Sequence, residues 1–587
     1  MFKLLRFLKP YLGQVILLAL IIATQTWTTL QLPALMSKIV NGGIIPSDTN
    51  YIWYIGLHML CSALVSAFCA LLAAFLSSKI SMSFARDLRN SVFEKILSFT
   101  VSDINSFSTA SLITRTTNDI SQVQQAASMM LNMLVRAPMM AVVAIIQAFR
   151  TAADMTWIIA LAVAVTIFLV ALILGSVMPK FKIFQTLLDK ITLLTRENLT
   201  GIRVIRAFNN DKFEQKKFAA ANDELTRTIL FINKIMSLEN PLILLVFNGV
   251  TVLCIWIGIS HIEANFDYVG NMIAFMQYAL QVLMAFLVLT ILFVMLPRAN
   301  VSATRINEVL LKKSEINWKE STAGAPSRTP SIKFEHVSFA YPDAKEKILS
   351  DISFSAKSGE TVAFIGSTGS GKSTLINLVP RFYEATSGKI LINDLDIKDY
   401  SKNDLISMIG YVPQRGVLFS GTIAENIKFG APKISDEKMK KAAEIAQAKN
   451  FIEKFEKKYN HHIAQGGSNV SGGQRQRLSI ARAIAKDPEI YVFDDSFSAL
   501  DMKTDQNLQK ALKEVTKNSI VLIVAQRINT IKNADKIIVL EKGKIAGKGN
   551  HAELLSSCKT YQKIVESQLS EDEFKKELKL AKEVKNA

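Results

Sequence analysis

Cysteine is scarce here, with four residues in 587: Cys61, Cys69, Cys254 and Cys558. The first three lie in apolar runs and none forms a pair at metal-ligand spacing, so they read as packing thiols rather than a disulfide framework. Acidic residues are also short: 50 Asp and Glu face 68 Lys and Arg, a net charge of +18. In a soluble chain that imbalance suits nucleic acid. Half of these residues are hydrophobic, however, and the mean hydropathy is +0.25, too apolar for an ordinary soluble protein of this size. In a membrane protein, basic residues gather on the cytoplasmic side and account for the excess. A cleavable leader is not expected either. The start, MFKLLRFLKPY, precedes an apolar run longer than a signal core, with no convincing small-residue cleavage site. Basic residues among Phe and Leu instead suit a helix lying at the inner membrane interface.

The length allows more than one domain, on a prior of roughly 150 residues each. Apolarity is segregated: the first half holds long apolar runs and the second reads as a normal globular sequence. A membrane-spanning helix needs about 20 apolar residues. Candidate spans lie at 15–35, 51–76, 129–149, 156–177, 241–262 and 272–296. With the N-terminus inside, the connections around 41–50, 150–155 and 263–270 fall outside; they contain Asp48, Arg150, Asp154, Glu263 and Asp267 and lean acidic. The segments 79–119 and 180–239 are long, polar and basic, so they belong inside. Few Gly or Pro interrupt them, which predicts long helices running from the membrane into the cytoplasm.

Arg136 sits inside the third span, just before Pro138. A charge at that depth faces a bundle interior or an aqueous cavity, or else snorkels to the inner interface. In the sixth span Gln277 and Gln281 are four residues apart and share a helix face, with Phe275, Met276, Met284 and Phe286 close by. This set suits either an adaptable binding cavity, since Met re-packs easily, or plain interhelical packing.

The stretch 311–331 contains ESTAGAPSRTPS and reads as a domain linker. After it, strand and helix patterns alternate as in an α/β domain. The apolar strand 361–365 runs into Gly366, Ser367, Thr368, Gly369, Ser370, Gly371, Lys372, Ser373 and Thr374, and a helix is expected over 374–378. Strand, glycine loop and helix N-terminus are the context a phosphate-binding P-loop needs. Backbone N–H groups of 369–373 can ring phosphates, Lys372 supplies a point charge, and the Ser373 hydroxyl can ligate Mg²⁺. Further on, Ser471, Gly472, Gly473 and Gln474 precede a helical stretch over 475–485 and form a second anion site at a helix N-terminus. The apolar strand that begins at 490 then delivers Asp494 and Asp495 at its C-terminal end, where α/β ligand sites sit. Asp494 can hold the Mg²⁺ shell. Ser498-Ala-Leu-Asp501 follows.

P-loop, SGGQ, strand-borne Asp and SALD, in this order, resemble the ATP-binding cassette family, and the preceding membrane half resembles its exporters. The resemblance covers nearly the whole chain. It implies an α-helical membrane domain of six transmembrane helices at 1–310, a linker at 311–330 and an α/β P-loop ATP-binding cassette domain at 331–587, with ATP and Mg²⁺ as ligands. It places the chain in the cell membrane as a multi-pass protein with a cytoplasmic ATP-binding domain. The cytoplasmic loops would end in short coupling helices near 107–112 and 202–207. ATP would be sandwiched between two such chains, the P-loop of one facing the SGGQ of the other. Residue by residue, Tyr341 matches the aromatic that stacks on adenine. Gln414 matches the glutamine that contacts Mg²⁺ and senses the membrane domain, and Asp501 the residue that communicates across the dimer.

The hydrolytic centre departs from the family. Where its active sites have Glu as general base, this chain has Asp495; where they have a switch His, it has Gln526. Asp is shorter by about 1.5 Å, and a misplacement of roughly 1 Å can cost about 100-fold in rate. Gln526 cannot become cationic, so it adds no positive charge beside the γ-phosphate. Gln465 stands where many relatives have Glu before the signature, a segment that contacts the membrane domain. The intact SGGQ beside these losses resembles the degenerate subunit of a heterodimeric exporter, whose partner half-transporter would carry the Glu and the His. A homodimer of slow ATPases is the competing arrangement, and a non-transporting regulator or gated channel the competing function. Six apolar spans exclude a soluble nucleic-acid-associated cassette protein. The expected cargo is a hydrophobic or amphipathic small molecule, drug- or lipid-like.

Overall fold

A computed structural model describes the chain except residues 1, 263–267, 315, 323–328, 343, 345 and 587. Glu263 and Asp267 of the third outer connection, and the centre of the linker, therefore lie outside the described residues. The chain divides into two compact units. One comprises Met1–Leu97 and Ser108–Lys312, the other Ser98–Phe107 and Lys313–Ala587.

The first unit is helical. Among the described residues, six helices are long and apolar enough to cross a membrane. The second and fourth run well past it into the basic segments before turns at 98–100 and Gly201 end them. The helix Thr49–Leu97 has 49 residues, roughly 70 Å at about 1.5 Å per residue, against a hydrocarbon core of about 30 Å. Thr156–Thr200 has 45 residues and ends at Gly201, after which Ile202–Ala207 forms a short helix with no buried residue. The N-terminal Phe2–Tyr11 is a tightly wound helical segment, anchored where Tyr11 Oη donates to Asp87 Oδ2 at 2.6 Å. The sequence resemblance put the first coupling segment near 107–112. In the structure the residues that group with the second unit are Ser98–Phe107, slightly upstream, where Thr100 Oγ1 donates to Asp103 Oδ2 at 2.9 Å.

Arg136 lies exposed on the helix Ile120–Thr151. On the helix Tyr268–Leu311, Gln277 is exposed and Gln281 half-buried, with its Oε1 buried and unpartnered. Phe275 is fully buried with Tyr278 and Val282 in the helical core, so it serves packing, whereas Met284 is exposed. At the outer end the first and sixth helices are joined by polar contacts. Ser37 Oγ donates to Asn271 Oδ1 at 2.7 Å, and Gly270 N–H donates to Asn41 Oδ1 at 2.8 Å. Gly270 is required for the approach, since a Cβ there would stand 2.3 Å from Asn41 Oδ1 and 2.6 Å from the Ser37 carbonyl.

The second unit is built on sheets. β1 (Ser331–Phe339), β2 (Leu349–Lys357), β4 (Ser387–Ile392) and β5 (Leu395–Asp396) form an antiparallel sheet in the order β2-β1-β4-β5. The central sheet contains β3 (Thr361–Gly366), β6 (Ile409–Val412), β9 (Ile490–Asp494), β10 (Ile520–Val524), β11 (Lys536–Glu541) and β12 (Lys544–Gly549), ordered β12-β11-β3-β10-β9-β6. A small hairpin pairs β7 (Gly421–Thr422) with β8 (His462–Ile463). All central neighbours are parallel except β11–β12. Every residue of β9 and β10 is buried, which explains their unbroken apolar runs: strands covered on both faces do not alternate. Within the antiparallel sheet Phe334 stacks on its cross-strand partner Phe354 at 4.5 Å, and Phe354 meets Phe364 of the central sheet edge-on at 5.3 Å.

Gly270→Ala is expected to destabilise the membrane unit by about 1–3 kcal/mol, the usual cost of forcing an extra methyl into a packed site. Gly56→Ala is its control, because a Cβ at Gly56 meets nothing within 4 Å. Thermal unfolding of the detergent-solubilised chain checks this. Equal melting temperatures for the two variants would refute the account of the outer junction.

Candidate nucleotide-binding site

Parallel pairing brings four strand ends to one edge. Val524 of β10 is in register with Phe364 of β3 and with Asp494 of β9, and Val412 of β6 with Phe493 of β9. Each strand then releases its loop on the same side: the P-loop from β3, Gln414 from β6, Asp494 and Asp495 from β9, and Gln526 from β10.

The P-loop turns on its glycines. Gly369 and Gly371 have φ of +81° and +96°, and Gly371 leads directly into the helix Lys372–Asn377. That turn starts the helix two residues before the expected Thr374. A Cβ on Gly369 would meet nothing within 4 Å, so its backbone is open to close approach. Ser370 Oγ is buried without a partner, and Lys372 Nζ donates to the carbonyls of Gly366 and Ser367 at 2.7 and 2.8 Å. Open backbone, an unpaired hydroxyl and a cation turned onto the loop fit a polyphosphate. Burial lowers the Lys372 pKa, and the carboxylates of Asp495 and Asp494 oppose that shift.

Ser373 Oγ donates to Asp494 Oδ1 at 2.8 Å. Burial raises the Asp494 pKa against that hydrogen bond. Ser373, Asp494 and Gln414 are the residues that would hold Mg²⁺, which supplies charge neutralisation of the phosphates when bound. Asp495 is differently placed. It adopts a left-handed conformation (φ +46°), its N–H donates to the Val524 carbonyl at 2.9 Å, and its Oδ2 accepts from both Gln526 Nε2 (2.8 Å) and Gln414 Nε2 (3.3 Å). Burial raises its pKa; the donors Gln414, Gln526 and Ser498, together with Lys372, lower it. The two residues that depart from the family pattern at the hydrolytic centre are thus hydrogen-bonded to each other. The spacing in the sequence did not foretell that contact.

Tyr341, from the end of β1, places its hydroxyl 3.1 Å from Thr374 Oγ1 and meets Tyr383 edge-on at 5.3 Å. Tyr383 was not singled out from sequence; nothing local marks it. Ser471 caps the helix Gly472–Lys486, which begins three residues before the expected 475. Ser471 Oγ accepts from the Gln474 N–H at 3.2 Å, and Gln474 Oε1 accepts from the Ser471 N–H at 2.9 Å. This reciprocal capping box fixes the helix start. A Cβ on Gly472 meets nothing within 4 Å, so backbone and hydroxyl there are open to an anion. Asp501 likewise caps its own helix, accepting from the Thr504 N–H and Oγ1 at 2.9 and 2.7 Å, and these bonds lower its pKa. Gln465 is exposed.

A phosphate-binding loop and an acidic strand end, on a chain with six membrane-crossing helices, define a membrane-bound P-loop ATPase. The ABC transporter transmembrane region family matches residues 15–286, and the ABC transporter family matches residues 349–498. An uncharacterized ABC transporter ATP-binding protein of Mycobacterium tuberculosis is 38% identical, covering 96% of this chain and 97% of the relative. YfiB of Bacillus subtilis, another uncharacterized ABC transporter ATP-binding protein, is 36% identical over 97% and 99% of the two chains. The ATP-dependent lipid A-core flippase of Pseudomonas aeruginosa is 30% identical over 96% and 95%. A solved bacterial Atm1-family ABC exporter with ATP bound shares the fold, with a TM-score of 0.79 at 22% identity, covering 96% of this chain and 99% of that one. The chain therefore belongs to the ATP-binding cassette transporters, as a half-transporter of exporter type. It is a multi-pass membrane protein with a cytoplasmic ATP-binding domain, and an ATP-hydrolysing transporter by class.

Lys372→Ala is expected to lower ATP binding at this chain's P-loop by at least about tenfold, since hydrogen bonds to charged groups are worth about 1.5–3 kcal/mol. Photolabelling with 8-azido-ATP, with thermal unfolding as a folding control, checks this. Undiminished labelling of a folded variant would remove Lys372 from the site.

Proposed function

We propose that this chain is the slow-site half of a heterodimeric exporter that moves hydrophobic or amphipathic compounds, drug- or lipid-like, out of the cytoplasm or inner leaflet. The observation that carries the reading is the Asp495 carboxylate. It occupies the general-base position with a shortened side chain, and one of its oxygens is held by two neutral amides, Gln526 and Gln414. A base so held is poorly set to orient water. Gln526 brings no cation to the γ-phosphate. Nucleotide binding is spared, because Tyr341, the P-loop from Gly366 to Thr374 and Asp494 are all retained.

The signature supports the second half of the reading. The Ser471 hydroxyl and the Gln474 amide are engaged in their reciprocal cap, leaving the open backbone at Gly472 for a phosphate held elsewhere. A partner half-transporter carrying Glu and His would hold it. The cytoplasmic helix Ile202–Ala207 and its flank expose apolar side chains, Val204 at 61% and Phe208 at 79%, which suits a surface covered by that partner. The likeness to a lipid A-core flippase supports a lipid-like cargo, and Arg136, Gln277 and Gln281 are the residues we assign to its passage.

Two measurements test this. In the complex with its partner, vanadate trapping should label the partner's P-loop far more than this one. There, Ser471→Ala should lower steady-state hydrolysis roughly 100-fold, the usual cost of losing one preorganised donor to developing charge. Asp495→Glu with Gln526→His should leave turnover short of double. Equal trapping at both P-loops, or full turnover with Ser471→Ala, would reverse the assignment of the sites. Separately, inverted vesicles containing the complex should accumulate a fluorescent amphiphile in an ATP-dependent manner. A complex that hydrolyses ATP without moving any amphiphile or lipid would sink the transport reading in favour of a regulator or channel.

A further inference from the structure

We propose that Gln568, in the C-terminal segment, is a positioning residue for Gln526 and through it controls how long ATP is retained at this chain's P-loop. The proposal rests on the reading of Gln526 as the residue that faces the γ-phosphate.

Gln526 follows β10, and its side chain reaches Asp495 only if the backbone from 526 to 528 is held. The residue is exposed, and it borders a cavity of about 620 Å³ lined by Met502, Asp505, Arg527 and Thr530 among others. Ala525 and Ile528 are buried in the core on either side, but the exposed Gln526 and Arg527 between them gain no such packing, and hydrogen bonds hold them there. The Gln568 carboxamide makes two of these. Its Nε2 donates to the Gln526 carbonyl at 2.7 Å, and its Oε1 accepts from the Ile528 N–H at 2.9 Å. One side chain thus grips the backbone on both sides of Arg527, as a paired strand would. The Ile528 N–H is also the first of the short helix Ile528–Ile531, and Arg527, at its N-cap position, provides no side-chain cap. First-turn N–H groups of a helix have no partner within it. A residue some forty positions away supplies the missing acceptor.

A second link ties the tail to the same segment. Glu577, on the C-terminal helix Glu571–Asn586, lies 4.0 Å from Lys532 Nζ just beyond that short helix, and is itself held by His551 Nε2 at 2.8 Å. Arg527 fixes the other flank, donating to the carbonyls of Leu500 and Ser498 in the SALD loop at 3.3 and 3.2 Å. The switch segment is therefore suspended between the SALD loop and the C-terminal tail. Freeing it from the tail lets Gln526 leave its position without disturbing the P-loop, which makes none of these contacts.

The test uses the full-length chain in its purified complex. It measures the half-time of 8-azido-ATP retained at this chain's P-loop after dilution, alongside initial ATP affinity and melting temperature. Gln568→Ala should shorten retention about tenfold, the effect expected for one well-placed hydrogen bond, with affinity unchanged. Gln568→Met, which keeps the length and volume but not the amide, should behave like Gln568→Ala. In a Gln526→Ala background, Gln568→Ala should have no further effect, because residues acting through one another are not additive. Wild-type retention in Gln568→Met, or additive losses in the double variant, would overturn the proposal and leave Gln568 a packing residue. Should this site instead turn ATP over rapidly, the slow-site reading falls. The same double-variant comparison, read in the turnover rate, still decides the role of Gln568.

Discussion

Four parallel strands of the central sheet end level with one another, and the chemistry of the second unit depends on that alignment. β3, β6, β9 and β10 are largely apolar until their C-terminal ends, where they deliver Lys372, Gln414, Asp494, Asp495 and Gln526 to one edge. A one-residue slip of β10 against β9 would turn each of its side chains to the opposite face, and Gln526 would lose its 2.8 Å contact with Asp495. The continuous apolar burial of β9 and β10 gives the sheet its stability and at the same time fixes the relative positions of the acid, the amide and the lysine.

That edge carries an electrostatic conflict. Two carboxylates and one ammonium are taken largely out of water, and burial pushes the Asp494 and Asp495 pKa values up and that of Lys372 down. Charged groups so placed need partners. Asp494 has the Ser373 hydroxyl, Asp495 has two amides, and Lys372 has two backbone carbonyls. Replacing a switch histidine by Gln526 keeps a hydrogen-bond donor toward Asp495 and removes the option of a positive charge. The site keeps the donors that satisfy its buried acids, which stabilises the empty fold. It forgoes the cation that would favour a more negative transition state.

How much of this the sequence disclosed depended on distance along the chain. The P-loop, the capped SGGQ helix and the acidic strand end are each contained within a dozen residues, so local chemistry announces them. The six spans followed from hydropathy, and their long cytoplasmic extensions from the scarcity of Gly and Pro between 79 and 119 and between 180 and 239. Helix starts were missed by two or three residues because Gly371 and Ser471 begin their helices through backbone and side-chain geometry, which apolar periodicity does not register. What stayed hidden was convergence. Asp495 and Gln526 stood out singly as departures, but their contact spans 31 residues. Tyr383 beside Tyr341, and Gln568 on the switch backbone, have no local signature. The grouping of Ser98–Phe107 with the second unit also escaped any division made along the chain.

These distances separate two kinds of residue within one site. Binding rests on a contiguous loop whose geometry survives changes elsewhere, because its glycine turns and its lysine are set by their own neighbours. On the reading proposed above, timing rests on groups whose positions are set by remote segments: Gln526 by the C-terminal tail, Gln414 by Asp495 after β9, Arg527 by the SALD loop. Substitutions at such positions alter rate while leaving the nucleotide's cradle intact. On the proposed slow-site reading, a chain with Asp495 and Gln526 at those two positions therefore need not lose ATP. On that reading, two side-chain changes suffice to turn a catalytic edge into a holding one, because the sheet that carries them does not depend on either.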